Sequence, residues 1–353
     1  MDLQLLDQML ADRGEPHFRA RQVWAWAARG ARGYEEMTNI PAALREALAR
    51  ELPFSSLTVR DEARSSDGTV KALFSTADGR PLEAVLMRYR DPPSRVAPRS
   101  GAHPEGAQQA GGRRSICVSS QSGCPLTCTF CATGTMRFAR NLTASEIVDQ
   151  ALHFRRVEPI DHCVFMGMGE PMLNLDAVLA ACERLPDVGI THRRTTISTV
   201  GWIPGIERLA ECEMPLRLAL SLHAAEDALR SELMPVNERY PLADVIDACR
   251  AFYARKRRRV FVEYVMLAGV NDRYEQALAL ARALAGAREG EPSIFKVNLI
   301  PYNPTGSAYE GSSRESIAAF HATLEANGVP ATVRLTRGRD IAAACGQLAA
   351  RAA

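Results

Sequence analysis

From Ser115 to Thr336 the chain alternates between short apolar runs and stretches of helical pattern, and few folds accommodate that rhythm. The runs are ICVSS, HCVFMGM, RTTISTV, LRLALSL, VFVEYVM, FKVNLIP and ATVRLT. Between most of them the apolar residues recur at helical spacing, and Thr143 to Glu146 forms a capping-box signature that opens one such helix. Continuous apolar strands separated by helices imply a parallel sheet covered on its faces. The expected fold class is α/β, an incomplete (βα) barrel with ligands at the carboxyl ends of its strands. A doubly wound open sheet fits the same pattern.

Three further segments precede this core. Residues 1–52 read as helices: Leu3, Leu6 and Leu10 share a face, as do Val23, Trp24 and Ala27, and Pro16 and Pro41 stand near helix starts. Residues 53–90 read as a small β extension. LTVRDEA and TVKALFS flank the turn signal Ser65-Ser66-Asp67-Gly68, and PLEAVLMRY supplies a third strand. Residues 91–113 read as a loop, with four prolines, four glycines and few apolar residues. Residues 114–353 then form the core.

No apolar run approaches the length of a membrane span, and nothing near Met1 resembles a signal peptide. Nine cysteines without a secretory signal point to a reducing compartment, where thiols serve metals or catalysis. The net charge of +2 is too small to argue for nucleic acid by itself. Local clusters carry more information: Arg255, Lys256, Arg257, Arg258 and Arg259 are consecutive, and His192, Arg193 and Arg194 form a second group.

Cys124, Cys128 and Cys131 lie within GCPLTCTFCATG. Three thiolates so close in sequence can hold three irons of a [4Fe–4S] cube and leave the fourth iron open to a ligand. A structural zinc knot would need a fourth ligand from a second CxxC or HxxxH pair, which the sequence lacks.

Other motifs fall at strand ends. GMGEP (Gly167 to Pro171) lets backbone approach a ligand and offers the Glu170 carboxylate. STVG from Ser198 and SLHA from Ser221 supply hydroxyls, and Asn303 in VNLIPYNP supplies an amide. Each of these motifs is also compatible with a plain βα turn. His223 alone reads more readily as a structural histidine than as a metal ligand. Cys117 lies on the strand leading to the cysteine loop. Cys345 lies among alanines, where a helical cysteine is ordinarily a small packed hydrophobe. Cys163, Cys182, Cys212 and Cys249 have no accompanying motif and read as structural.

Taken together, CVSSQSGCPLTCTFCATG, RNLTASEI, GMGEPMLN, SLHA, VEYVMLAGVND, VNLIPYNP and TRGRDIAAACGQL resemble the RlmN family of the radical S-adenosylmethionine (SAM) superfamily. GEPHFRARQVWAW and YEEMTNIPAALRE resemble that family's N-terminal helical domain, so the likeness runs from about Gly14 to Leu348. It implies a (βα)6-type radical SAM barrel with an N-terminal helical, RNA-binding-type accessory domain.

The activity it implies is methylation of C2 of adenine in 23S rRNA and in tRNA. It implies one [4Fe–4S] cluster on Cys124, Cys128 and Cys131, and two SAM molecules per turnover. One SAM methylates Cys345, and a radical from the other activates that methyl for addition to the base. Glu83 matches the family's proton acceptor and Cys117 the cysteine that resolves the protein–RNA adduct, the pair Cys117 and Cys345 being able to form a disulfide. Gly169, Glu170, Ser198, Ser221, Leu222, His223 and Asn303 match its SAM contacts. The resemblance also implies a cytoplasmic monomer served by an electron donor such as flavodoxin. Two alternatives remain: a Cfr-like enzyme methylating C8, and an iron–sulfur RNA-binding redox sensor without catalysis.

Overall fold

The computed structural model describes residues 1–89, 112–286 and 291–350. Its first layer is helical: α1 (Leu3–Asp12), α2 (Phe18–Arg29) and α3 (Ala42–Glu51). The Asp2 side chain accepts hydrogen bonds from the backbone N–H of Gln4 and Leu5 and so starts α1, while Gly30, in the left-handed region, ends α2. Leu6, Leu10, Val23, Trp24 and Ala27 are buried as their spacing predicts. The layer is tied to the core by buried charge. The Met1 ammonium meets the Asp149 carboxylate, which also accepts from the Ser56 N–H at 2.6 Å. Trp24 Nε1 donates to Asp187 at 2.7 Å.

Next comes an antiparallel meander, β1 (Leu57–Arg64), β2 (Val70–Thr76) and β3 (Pro81–Tyr89). The expected turn joins its first two strands, with Ser65 N donating to Thr69 O at 2.8 Å. The loop expected over 91–113 lies outside the described residues except at its end. There Arg113 already belongs to β4 (Arg113–Cys117), which pairs antiparallel with β3. The extension and the core therefore share one sheet.

From β4 onward the chain alternates as the sequence predicts. A short ribbon, β5 (Gln121–Ser122) and β6 (Arg140–Asn141), precedes α4 (Ala144–Arg155). Then follow β7 (His162–Phe165), α5 (Leu175–Arg184), β8 (Thr195–Thr199), α6 (Ile203–Glu211) and β9 (Arg217–Ser221). The series continues through α7 (Asp227–Leu233), α8 (Leu242–Lys256), β10 (Val260–Met266), α9 (Tyr274–Leu284), β11 (Phe295–Pro301), α10 (Arg314–Ala326) and β12 (Ala331–Val333). The sheet order is β1-β2-β3-β4-β7-β8-β9-β10-β11-β12, and every pairing from β4 onward is parallel. Among the described residues no pairing joins β12 back to β1, so the barrel is open. The capping box at α4 is present in both directions, Thr143 to Glu146 and back. No helix among the described residues is long and apolar enough to cross a membrane.

Candidate active site

The loop bearing Cys124, Cys128 and Cys131 leaves β4 at the carboxyl ends of the strands. It is held from several directions. Thr129 N donates to Leu233 O at 3.0 Å, Ala132 N to Gly346 O at 2.8 Å, and Thr133 Oγ1 to Leu348 O at 2.6 Å. A Cβ on Gly134 would stand 2.6 Å from the Cys128 carbonyl, so the tight fold of the loop requires glycine there.

The three cysteines are free, partly exposed thiols. Among the described residues no three His, Cys, Asp or Glu converge as they would on a single ion. A cube makes a different demand, because each thiolate meets its own iron. The charges still feel one another: burial raises the Cys128 thiol first, and Cys131 and Cys124 raise it further. A cationic cluster relieves that repulsion, so the donor set fits the group the motif implies.

The neighbouring strand ends form the wall. Gly169 has φ +97°, and a Cβ there would lie 2.5 Å from the Gln121 side chain, whose Oε1 accepts from Glu170 N at 2.9 Å. The buried Glu170 carboxylate accepts from Met172 N at 3.1 Å and Val200 N at 3.0 Å, which fastens the end of β7 to the end of β8. Burial pushes its pKa up to about 7 against those hydrogen bonds. Ser198 and Ser221 place their hydroxyls 3.2 Å apart.

His223 adopts φ +59°, an uncommon conformation for a residue with a side chain. Its Nδ1 accepts from Val265 N at 3.0 Å, which leaves the proton on Nε2. Its ring meets Phe130 edge-on at 4.7 Å. Burial, reinforced by the Arg230 charge, lowers its pKa to about 3. It is thus a neutral donor on the chamber wall, with one ring nitrogen in a structural bond.

Cys345 does not lie on a helix. The alanine run before it turns at Ala342, with φ +50°, and the segment continues irregularly past Gly346. Asn303 Nδ2 donates to the Cys345 carbonyl at 3.3 Å, while the buried Asn303 Oδ1 has no hydrogen-bond partner among the described residues. The Cys345 residue is exposed, yet desolvation by the protein around it is the first cause that raises its thiol pKa. The nearby Arg334 guanidinium opposes the rise. Cys117 is pushed up to about 12, by burial first and by Cys345 next. Both thiols are free and face a common cavity.

Two cavities therefore meet at Cys345. The first carries Cys131, Gly169, Glu170, Ser198, Ser221 and His223; the second carries Cys117, Asn303 and Arg334. Leu222 contributes only backbone: its N–H donates to Glu263 O at 3.0 Å. Glu83 opens instead to a separate cavity. Its Oε1 lies 2.9 Å from Lys71 Nζ, and its Oε2 accepts from Ala349 N and Ala350 N at 3.0 and 3.1 Å.

Residues without a motif complete the site. Arg230 is fully buried and donates to Leu222 O at 3.2 Å, Val200 O at 2.6 Å and Asn237 Oδ1 at 2.6 Å. Glu263 accepts from Arg334 Nη1 at 3.1 Å and from Asn298 Nδ2 at 2.8 Å. A lone acid within the apolar run VFVEYVM is the one sequence signal that could have drawn attention to this network.

Comparison with known proteins sets this geometry in context. The family model described as the radical SAM superfamily matches residues 118–281, and that of the ribosomal RNA large subunit methyltransferase N-terminal domain matches residues 1–52. A probable dual-specificity RNA methyltransferase RlmN from Chloroflexus aurantiacus is 44% identical over 99% of this chain and 92% of its own length. The dual-specificity RNA methyltransferase RlmN from Anaeromyxobacter sp. is also 44% identical, over 99% and 89%. The crystal structure of a radical SAM methyltransferase from Sphaerobacter thermophilus superposes with a TM-score of 0.86 at 42% identity, covering 99% of this chain and 98% of that one.

Proposed function

Because the chain belongs to the RlmN family of dual-specificity RNA methyltransferases, SAM-dependent enzymes of the radical SAM superfamily, we propose that it methylates C2 of adenine in 23S rRNA and in tRNA. The observation that carries this reading is the convergence of Cys117, Cys345 and the cysteine loop on adjoining cavities. Adenine C2 is electron-poor and has no useful lone pair, so a methyl electrophile alone does not react there. A carbon radical does.

Cys124, Cys128 and Cys131 hold a [4Fe–4S] cluster in this reading. Gly169, Glu170, Ser198, Ser221, Leu222, His223 and Asn303 hold SAM, the His223 N–H and the unpartnered Asn303 Oδ1 being groups still free to bind it. When bound, cluster and SAM supply a methyl electrophile from one SAM and, from a second SAM on reduction, a hydrogen-abstracting radical.

The protein's own residues do the rest. Cys345 receives the methyl and presents its carbon to the base, and Arg334 favours the thiolate that methylation requires. Once the adduct has given up one electron and its C2 proton, the Cys117 thiolate attacks the Cys345 sulfur; the sulfur–methylene bond breaks, its electron pair and a proton turn the methylene on C2 into the methyl group, and the two cysteines are left as a disulfide. Glu83 takes the proton lost from C2, and for this Ala349 and Ala350 must first release its carboxylate. Residues 1–52 form the RNA-binding-type helical domain, 53–90 the β extension, and 114–353 the catalytic core.

The Cys117→Ala variant tests the reading. It keeps the methyl carrier and the radical source but lacks the resolving thiol, so RNA should remain covalently attached to it. Cys117→Ala/Cys345→Ala should carry none, a strong non-additivity expected of residues acting in sequence on one intermediate. RNA attached equally to both variants overturns the assignment. Nucleosides from RNA treated with wild-type protein should contain 2-methyladenosine; 8-methyladenosine would replace the C2 assignment with C8.

A further inference from the structure

The two basic clusters of the sequence, 192–194 and 255–259, lie far apart along the chain, but the fold brings them to one place. Arg113 opens β4, Arg194 immediately precedes β8, Arg217 opens β9, Arg258 precedes β10 and Lys296 is the second residue of β11. All five stand at the amino ends of the parallel strands, opposite the cysteine loop. They line two joined cavities of about 310 and 490 Å3 that share Arg217 and Phe261.

Among the described residues none of these five cations forms an ion pair or a side-chain hydrogen bond; Arg113 stacks over Tyr89 at 4.1 Å instead. Glu263, which lines the same cavity, is engaged by Arg334, and Asp161, just before β7, by His162. The cations disfavour one another: burial lowers Arg217, and Arg113 and Arg194 add to it; Arg258 is lowered by burial, then by Arg193 and Arg217. A protein that gathers unpaired cations bears a repulsion that a polyanion removes. Apolar surface lies beside them, with Val333 46% and Leu335 65% exposed. Such a combination of cations and apolar contact area suits a nucleotide chain.

The basic cavity also adjoins the inner one. Tyr89, Met166 and Arg334 border both it and the cavity that holds Cys117 and Cys345. We propose that the target nucleotide of the RNA enters through this mouth at the amino ends of the strands, with its flanking phosphates held by Arg113, Arg194, Arg217 and Arg258. The RNA then reaches Cys345 from the side opposite to SAM, and neither need leave for the other to bind. This departs from the usual rule for closed (βα) barrels, in which ligands gather at the carboxyl ends alone. It rests on the reading of the protein as an RNA methyltransferase.

The test uses the full chain with its cluster reconstituted and a fluorescent RNA hairpin containing the target adenine. Arg194→Gln/Arg217→Gln should reduce the slope of log affinity against log salt by roughly 1.4 to 1.8, since each lost phosphate contact removes about 0.7 to 0.9. Arg282→Gln/Arg314→Gln, a charge change of equal size on exposed helix positions of α9 and α10, should leave the slope unchanged. Equal slopes for the two variants overturn the proposal.

A second measurement does not depend on removing charge. A photo-crosslinking amino acid at Leu335 should attach to the RNA, and one at Tyr309, beside the cysteine loop, should not. If wild-type protein methylates the RNA but the crosslink forms only at Tyr309, this route is wrong and the methyltransferase reading stands. If Leu335 crosslinks but no RNA is ever methylated, the surface stands and the methyltransferase reading falls.

Discussion

His223 shows how much a single position can carry. It accepts a left-handed backbone, which costs about 1–2 kcal/mol, and keeps its ring neutral to hold the Val265 N–H. Its folded pKa of about 3 lies below the unfolded value near 6.5. The stability linked to it is complete above pH 6.5 and is lost as pH falls toward 3, because the unfolded chain then binds the extra proton. Chemical denaturation of the metal-free protein should show this site costing about 2 kcal/mol on going from pH 8 to pH 5. His223→Asn, which tolerates the same backbone, should lose that part of the pH dependence. Equal losses in both proteins would place the titration elsewhere.

The residue scale is also where the sequence was most and least legible. The three loop cysteines could be singled out as candidate ligands because their spacing is local and the chemistry of thiolates is narrow. Glu263 and Arg334 were not, because each gains meaning only from a partner on another strand. The same holds for Glu83, for which the family resemblance implied a proton acceptor but not the Lys71 and tail contacts that occupy it.

At the level of elements, the strands were plain from their composition, since a parallel strand buried on both faces must be a continuous apolar run. The C-terminal segment was not. Alanine favours helix, yet residues 342–348 are irregular because hydrogen bonds to the cysteine loop and to Asn303 override a weak local preference. How the strand ends are joined was equally hidden. Arg230 on α7 binds the carbonyls of Val200 after β8 and Leu222 after β9, with Asn237 as its third partner. Arg230→Met should leave these acceptors unpaired in the interior and cost about 3 kcal/mol or more, read as a lower denaturation midpoint. A change below about 1 kcal/mol would mean that water replaces the guanidinium there.

Across the whole molecule, the barrel is used from both ends. Its carboxyl-end cavity carries the cysteine loop and the strand-end motifs, and its amino-end cavity carries unpaired cations. Cys345 borders the chamber between them on a segment anchored by Ala132 and Thr133 of the cysteine loop. Replacing Cys124, Cys128 and Cys131 together by alanine should remove the roughly four irons of one cube. It should also raise amide hydrogen exchange across 344–348 without changing that of α1 to α3. Unchanged exchange in that segment would show that it is held independently of the metal.

Those two contacts, Ala132 N to Gly346 O and Thr133 Oγ1 to Leu348 O, splice the cysteine loop to the C-terminal segment. Order in one therefore passes to the other, and whatever loosens the cysteine loop slackens the arm that carries Cys345.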